Sequence, residues 1–246
     1  MDGFSLPPIL YYHRVSPETH PDAGVTPRVF RTQMSWLSRL GFRGVTLEEA
    51  LSGGGSPGLR GRCPIAITFD DGYLDNYIYA APILEEFGFR ATIYFVALKM
   101  GGRVDWTGDP VWKDHPLMGH QLARELVSRG FEAGSHTLTH PDLSRLSDID
   151  ARKEIEESRA RLADALSASV TTFCYPYGSY TKDRHPSMVR EAGYSGARTV
   201  HRYRLSGHSD RYRLACRPVS GRMGLPRFLL TAGAYRLGMK GEDVCD

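Results

Sequence analysis

The chain reads as an α/β protein built on a mainly parallel sheet, and two observations carry that expectation. Short apolar runs with the look of buried strands alternate with capped or amphipathic helical segments along the whole sequence. The polar residues best suited to chemistry, His13, Asp70, Asp71, His136 and Tyr177, come at or just after the ends of such runs. The carboxyl ends of strands are where α/β barrels place their active sites. The length, 246 residues, is about that of one α/β barrel with one core. No internal repeat or low-complexity linker divides it, so residues 1–246 are expected to form a single domain.

Each element has its own signal. Pro8 to His13 predicts a first strand ending in histidine, followed by a Pro-rich loop through Pro21. A helix starts at Pro27, with Phe30, Met34 and Leu37 on one face and Gly41 at its end. Thr46 caps a short helix through Glu48 and Glu49. The glycines from Gly53 to Gly58 resemble a phosphate cradle, but no strand precedes them and no clear helix follows, so they read as a loop. Cys63 to Ile67 is a buried strand leading into Thr68-Phe69-Asp70-Asp71-Gly72. A helix over Asp75 to Phe87 stops at Gly88, and Arg90 to Leu98 is another buried strand.

Lys99 to Pro116 is an irregular insertion carrying Trp106 and Trp112, and Gly119 to Arg129 is helical. Phe131 to Ser135 leads into His136-Thr-Leu-Thr-His140. Ser147 caps a helix to about Ala168 with Ile155, Leu162 and Leu166 inward. Thr171 to Tyr175 is a strand before Pro176-Tyr177-Gly178. A helix near Pro186 to Ala192, strands over Tyr194 to Val200 and Arg211 to Val219, and a helix from Leu225 to Leu237 complete the chain. Arg222, Arg227, Arg236 and Lys240 surround the apolar residues of that last helix; a covering helix with solvated charges is the economical reading, and a helix resting on a membrane is the alternative.

Composition excludes several classes. A net charge of +3, with no long run of Lys and Arg, argues against nucleic acid as partner. Cys63, Cys174, Cys216 and Cys245 are scattered, without a Cys-x-x-Cys pair, and are expected to be reduced and mostly buried. The start lacks the features of a signal peptide and no run is long enough to span a membrane, which predicts a cytoplasmic protein.

Adjacent carboxylates at the end of a buried strand are costly unless they meet a cation or share a proton. Consecutive strand residues face opposite ways, so Asp70 and Asp71 serve one site only if the chain turns there, a turn that Gly72 permits. His136 and His140 are spaced so that one helical turn would put their rings on the same side. With Asp71 they would form an open two-histidine, one-carboxylate metal site.

Three segments, Thr68 to Gly72, Ser135 to His140 and Tyr175 to Gly178, resemble the first three motifs of the NodB-homology polysaccharide deacetylases (family-four carbohydrate esterases). The resemblance runs from about Pro8 to Val219 and implies a distorted (β/α) barrel of about seven strands. It further implies divalent-metal hydrolysis of the acetamide of an amino sugar, with Asp71, His136 and His140 binding the metal and Asp70 as general base. Zinc fits such ligands first, with cobalt, nickel or iron as alternatives. The Tyr177 N–H would help hold the oxyanion. The opening Tyr11-Tyr12-His13-Arg14 resembles the circularly permuted exopolysaccharide N-deacetylase branch, which implies that His13 is the general acid.

Aromatic residues suited to stacking on sugar faces surround these motifs: Tyr12, Tyr73, Tyr180 and, above all, Trp106 and Trp112. The chain departs from the family in two places. Cys174 stands where the family's arginine orients the catalytic aspartate, with Arg217 a weak candidate to replace it. No late Leu-x-His motif follows, and His201 and His208 read as part of a solvated loop. The expectation is thus a metal-dependent N-deacetylase of N-acetylglucosamine-type glycans or biosynthetic intermediates. The rivals are a deformylase or deacetylase of a lipid- or nucleotide-linked sugar, an O-acetyl esterase, and an inactive sugar-binding homologue.

Overall fold

The computed structural model describes residues 6–53, 63–202 and 210–233. After β1 (Ile9–Tyr12) the chain makes two short strands, β2 (Arg14–Val15) and β3 (Gly24–Val25), that pair only with each other. The helix α1 (Pro27–Arg39) starts where the Thr26 hydroxyl accepts the Val29 N–H, with Pro27 in the first turn. It buries Phe30, Met34 and Leu37, as their spacing predicts, and Gln33, whose carbonyl accepts the Tyr12 hydroxyl.

Next come β4 (Phe42–Val45), α2 (Leu47–Leu51) and β5 (Cys63–Phe69). The sequence reading passes over β4, because Phe-Arg-Gly-Val is short and contains glycine. Its extended state comes from pairing along the first half of β5, from Phe42 opposite Cys63 to Val45 opposite Ala66. Every residue of β5 is buried, as an apolar run in a parallel sheet covered on both faces should be.

The helix expected from Asp75 splits into a π-helical turn (Asn76–Ala80) and α3 (Ala81–Glu86). Pro82, near the start of α3, has no N–H to return to the preceding turn, which disfavours one continuous α-helix across the junction. The rest follows the expected alternation: β6 (Thr92–Phe95), α4 (His120–Ser128), β7 (Glu132–Ser135), α5 (Asp148–Leu166), β8 (Thr172–Cys174), α6 (Arg184–Glu191), β9 (Gly196–Arg202), β10 (Leu214–Pro218) and α7 (Leu225–Ala232). Ser147 caps α5 as expected, and the helix ends at Ser167 in the left-handed conformation.

The named strands pair in parallel, and seven of them close into a barrel in the order β1, β5, β6, β7, β8, β9, β10, with β10 returning to β1. The first strand is therefore the seam: Leu10 lies opposite Ile67 on one edge and opposite Arg217 on the other. At the amino end of the barrel, Glu132 forms a polar plug. Its carboxylate accepts the Thr92 hydroxyl at 2.6 Å, the Glu48 N–H at 2.9 Å and the Thr172 hydroxyl. Burial pushes its pKa up, and those donors act against that push. The opposite, carboxyl end is free for chemistry.

Helix α7 turns Phe228 and Ala232 inward and leaves Leu230 exposed, as a covering helix does. Among the described residues no helix is long and apolar enough to cross a membrane. Cys63, Cys174 and Cys216 are free thiols and buried, as expected. The expectations for Cys245, His208, Arg236, Lys240, the end of the last helix and the glycine loop beyond Gly53 lie outside the described residues.

Candidate active site

The Asp-Asp-Gly turn is built as its chemistry requires. Where β5 ends, Asp71 (φ 67°) and Gly72 (φ 68°) are both left-handed, so the chain bends and brings both carboxylates to one cavity. Gly72 is needed twice over, because a Cβ there would also stand 2.6 Å from the Phe95 ring. Asp70 and Asp71 are almost fully buried.

His136 follows β7 and His140 lies four residues on, but they do not share a helical turn. The segment between them is irregular, with Thr137 (φ 69°) and His140 (φ 66°) left-handed. The expected helical spacing is thus corrected: a loop folds His140 back beside His136, with ring centroids 4.7 Å apart. Both Nε2 atoms converge on Asp71 Oδ1, His140 at 3.3 Å and His136 at 3.5 Å.

Several features test whether these residues fit a metal ion, and they do. Asp71 Oδ1 is buried without a hydrogen-bond donor, so the atom at the focus of the trio lacks a partner. His136 directs Nδ1 to the Cys174 carbonyl at 2.8 Å, the usual outer-shell anchor of a ligating imidazole, which leaves Nε2 a lone pair. Burial, followed by the His140 imidazole, pulls the pKa of His136 down to about 3, so it is neutral. For Asp71 burial opposes ionisation, but the imidazoles gathered around it, His140 first and then His13 and His136, outweigh it. They hold the carboxyl well below the usual range. One carboxylate and two imidazoles suit a divalent ion such as zinc.

Asp70 stands beside the trio, and its anchor is the main correction to the sequence reading. Arg217 does not replace the missing arginine; its guanidinium donates to the Thr231 carbonyl, on α7. Arg198, on β9, instead forms an ion pair with Asp70 Oδ1. Arg198 is fully buried, with its guanidinium 4.9 Å from the Tyr94 ring centroid and 5.1 Å from that of Tyr11. Burial draws its pKa down. Cys174 and Arg198 are register partners on adjacent strands, so the arginine has moved one strand along the barrel. The small Cys174 side chain leaves it room, with Sγ 3.9 Å from the same Asp70 oxygen. A charged residue inside the apolar run Gly196 to Val200 was the available signal, because a buried cation requires a partner.

His13 follows β1 and puts Nε2 3.8 Å from Asp70 Oδ2. Burial pulls its pKa down to about 4, against the opposing charge of Asp71. Trp106 and Trp112 both line the cavity. Trp112 meets His13 edge-on at 4.9 Å, and Trp106 stacks on His140 at 4.7 Å. Tyr177 (φ 57°) sets its half-exposed ring edge-on to His140. The cavity enclosed by these groups measures about 250 Å³.

The other sugar-stacking candidates fare differently. Tyr12 is a core residue, stacked on Phe69 and edge-on to Phe30. Tyr180 stacks on Tyr175, whereas Tyr73, although buried, lines the cavity. β9 runs through His201 to Arg202, where a loop was expected; the side chain of His201 lies outside the described residues. Missed entirely was Arg14. Buried next to His13, it pairs with Asp75 at 2.8 Å and meets His115 Nε2 at 2.8 Å, tying the insertion to β2.

A family profile described as polysaccharide deacetylase matches residues 60–197, more than half of the sequence. The chain belongs to the polysaccharide deacetylase family. The Bacillus subtilis protein YxkH is 29% identical over 236 residues, covering 95% of this chain and 77% of the relative. A chitooligosaccharide deacetylase of Sinorhizobium fredii is 29% identical over 61% of this chain and 59% of its own length. Among solved structures, the Streptococcus pyogenes deacetylase PplD superposes with a TM-score of 0.78 at 23% identity, over 92% of this chain and 98% of PplD. IcaB from Ammonifex degensii gives 0.74 at 24% identity, over 93% and 97%. At such identities the likeness to the two structures is one of fold, and the fold is this family's seven-stranded barrel.

Proposed function

We propose that this family member is a metal-dependent N-deacetylase that hydrolyses the acetamide of N-acetylglucosamine-type sugars in a glycan. One observation carries the reading: a buried carboxylate held by an arginine, Asp70, stands between the Asp71–His136–His140 trio and His13. The trio would hold a divalent ion, zinc first, whose contribution is to polarise the acyl oxygen and acidify a water. Asp70, paired with and aimed by Arg198, accepts the proton of the attacking water. The backbone N–H of Tyr177 is assigned to the developing oxyanion.

The leaving amine must be protonated before the C–N bond breaks. With its pKa drawn to about 4, His13 is neutral at physiological pH and needs a proton from within the cycle. Asp70, 3.8 Å away, has just taken one. The proton thus passes from water to Asp70 to His13 to nitrogen, and acetate and the free amine leave with nothing gained or lost overall. Trp106 and Trp112 flank the cavity and would face the sugar ring. The relative named as a chitooligosaccharide deacetylase supports an oligomeric amino-sugar substrate.

The test is acetate release from N-acetylglucosamine oligomers by the zinc-loaded chain. Asp70→Asn and His13→Ala should each lose roughly 10²–10⁴-fold in kcat while retaining the metal, and His136→Ala should lose both metal and activity. Metal-loaded, folded wild type that releases no acetate from any oligomer, or a His13→Ala variant that sheds the metal, would overturn the reading or this role for His13.

A further inference from the structure

The two imidazoles of the trio are held in different ways. His136 is fixed by a hydrogen bond from its outer nitrogen to the Cys174 carbonyl. The corresponding Nδ1 of His140 is buried and has no hydrogen-bond partner among the described residues. Rotation about χ2 of a histidine is soft, so an imidazole without that bond needs another restraint to keep Nε2 on target. Rings supply it. Trp106 lies against the face of His140 at 4.7 Å, with the planes only 27° apart. Tyr177 and His136 close in edge-on, each with its centroid at 4.7 Å.

The insertion that carries Trp106 is fixed at both of its ends to the segments that carry the trio. At one end of the insertion, the N–H groups of Ala97 and Leu98 donate to the Thr137 and Leu138 carbonyls, in the loop that carries His140. At the other end, Met118 N–H donates to the Gly72 carbonyl, next to Asp71, at 2.8 Å. Between them, Val104 N–H donates to the His115 carbonyl, Asp114 N–H returns to the Val104 carbonyl, and Lys99 pairs with Asp105 at 2.7 Å.

We infer that Trp106 is a positioning residue for the metal ligand His140, doing by ring stacking what a hydrogen-bond acceptor does for His136. The insertion from Lys99 to Pro116 then sets metal affinity and not only contact with sugar. This rests on the reading of Asp71, His136 and His140 as a metal site. Removing the indole frees χ2 of His140, and its Nε2 leaves the line to Asp71 Oδ1.

The experiment is competition for Zn²⁺ between the metal-depleted chain and a chromophoric chelator, with no substrate present. Trp106→Ala should bind Zn²⁺ about tenfold or more weakly, in the range found when outer-shell partners of ligands are lost. Trp106→Phe, which keeps a flat face, should stay within about threefold of wild type. Trp112→Ala, whose ring contacts His13 and no metal ligand, should bind as wild type does.

Wild-type affinity in Trp106→Ala overturns the inference, and so does equal weakening in Trp112→Ala, which would mark general loosening. Should Trp106→Ala not fold, Trp106→Leu fills space without a flat face and carries the same expectation. A folded wild type that binds no Zn²⁺ would instead remove the metal reading itself, a result distinct from any difference between variants.

Discussion

Arg198 shows how one side chain supplies the counter-charge of another. A carboxylate taken out of water gains a proton unless a positive group faces it, and the guanidinium of Arg198 does so from inside the barrel. Lysine at this position would keep the charge but lose the planar fork that sets the direction of the Asp70 carboxylate. Arg198→Lys is therefore expected to fold and to lose about 10²-fold in kcat with little change in KM, as a displaced base does; an unchanged kcat in steady-state assays would refute that role. Asp70, Asp71, His136 and His140 were legible in the sequence because each sits in a short motif at a strand end. Arg198 was not, since its partner comes from the other half of the chain and only register across the barrel reveals the pairing.

At the scale of elements, turns shape the site more than the strands do. The Asp71–Gly72 turn aims two adjacent carboxylates at one cavity, and the left-handed loop from Thr137 to His140 stands in for the expected helical turn. Gly72→Ala would force a Cβ into the left-handed region and against Phe95. The expected loss is roughly 2–5 kcal/mol of stability, from an overpacking cost of ~1–3 and a left-handed cost of ~1–2, read as the shift of the urea unfolding midpoint at constant slope. The Asp-Asp-Gly turn was legible from its glycine. The His136–His140 loop was misread because His-x-x-x-His spacing has the same period as a helix, and nothing local betrays the positive φ of Thr137. β4 was missed for the opposite reason, its extended state being imposed by β5.

For the whole molecule, the groups gathered at the barrel mouth predict how stability depends on pH. His13 and His136 have folded pKa values drawn to about 4 and about 3 from an ordinary 6.5. The unfolded chain therefore binds protons on these imidazoles below about pH 6.5 while the folded chain does not, and stability falls as the pH drops through that window. Each imidazole contributes at most ~1.4 kcal/mol per pH unit. Asp71, held below its usual range, acts in the same direction once the pH falls below about 4, where the unfolded carboxyl takes up a proton. The metal-free protein should lose thermal stability steadily from pH 6.5 towards 4, and His13→Gln should show a shallower loss. Parallel curves would assign the effect elsewhere. The α/β class was legible from the alternation of strands and helices, and the barrel only through the resemblance of the motifs, because no local pattern shows that the first strand pairs with two strands distant from each other in sequence.

That closure also bears on how the protein is made. A ribosome delivers β1 first and β10 last, so during synthesis one edge of β1 can pair with β5 while the other stays open until Pro218 has emerged. An open strand edge invites pairing with other chains, and nascent chains stalled before β10 are the species in which that hazard is greatest. Arg198 arrives in the same late stretch. The carboxylate of Asp70 thus waits for its counter-ion until the barrel lacks only its final strand, and the cavity gains its last charge shortly before its wall closes.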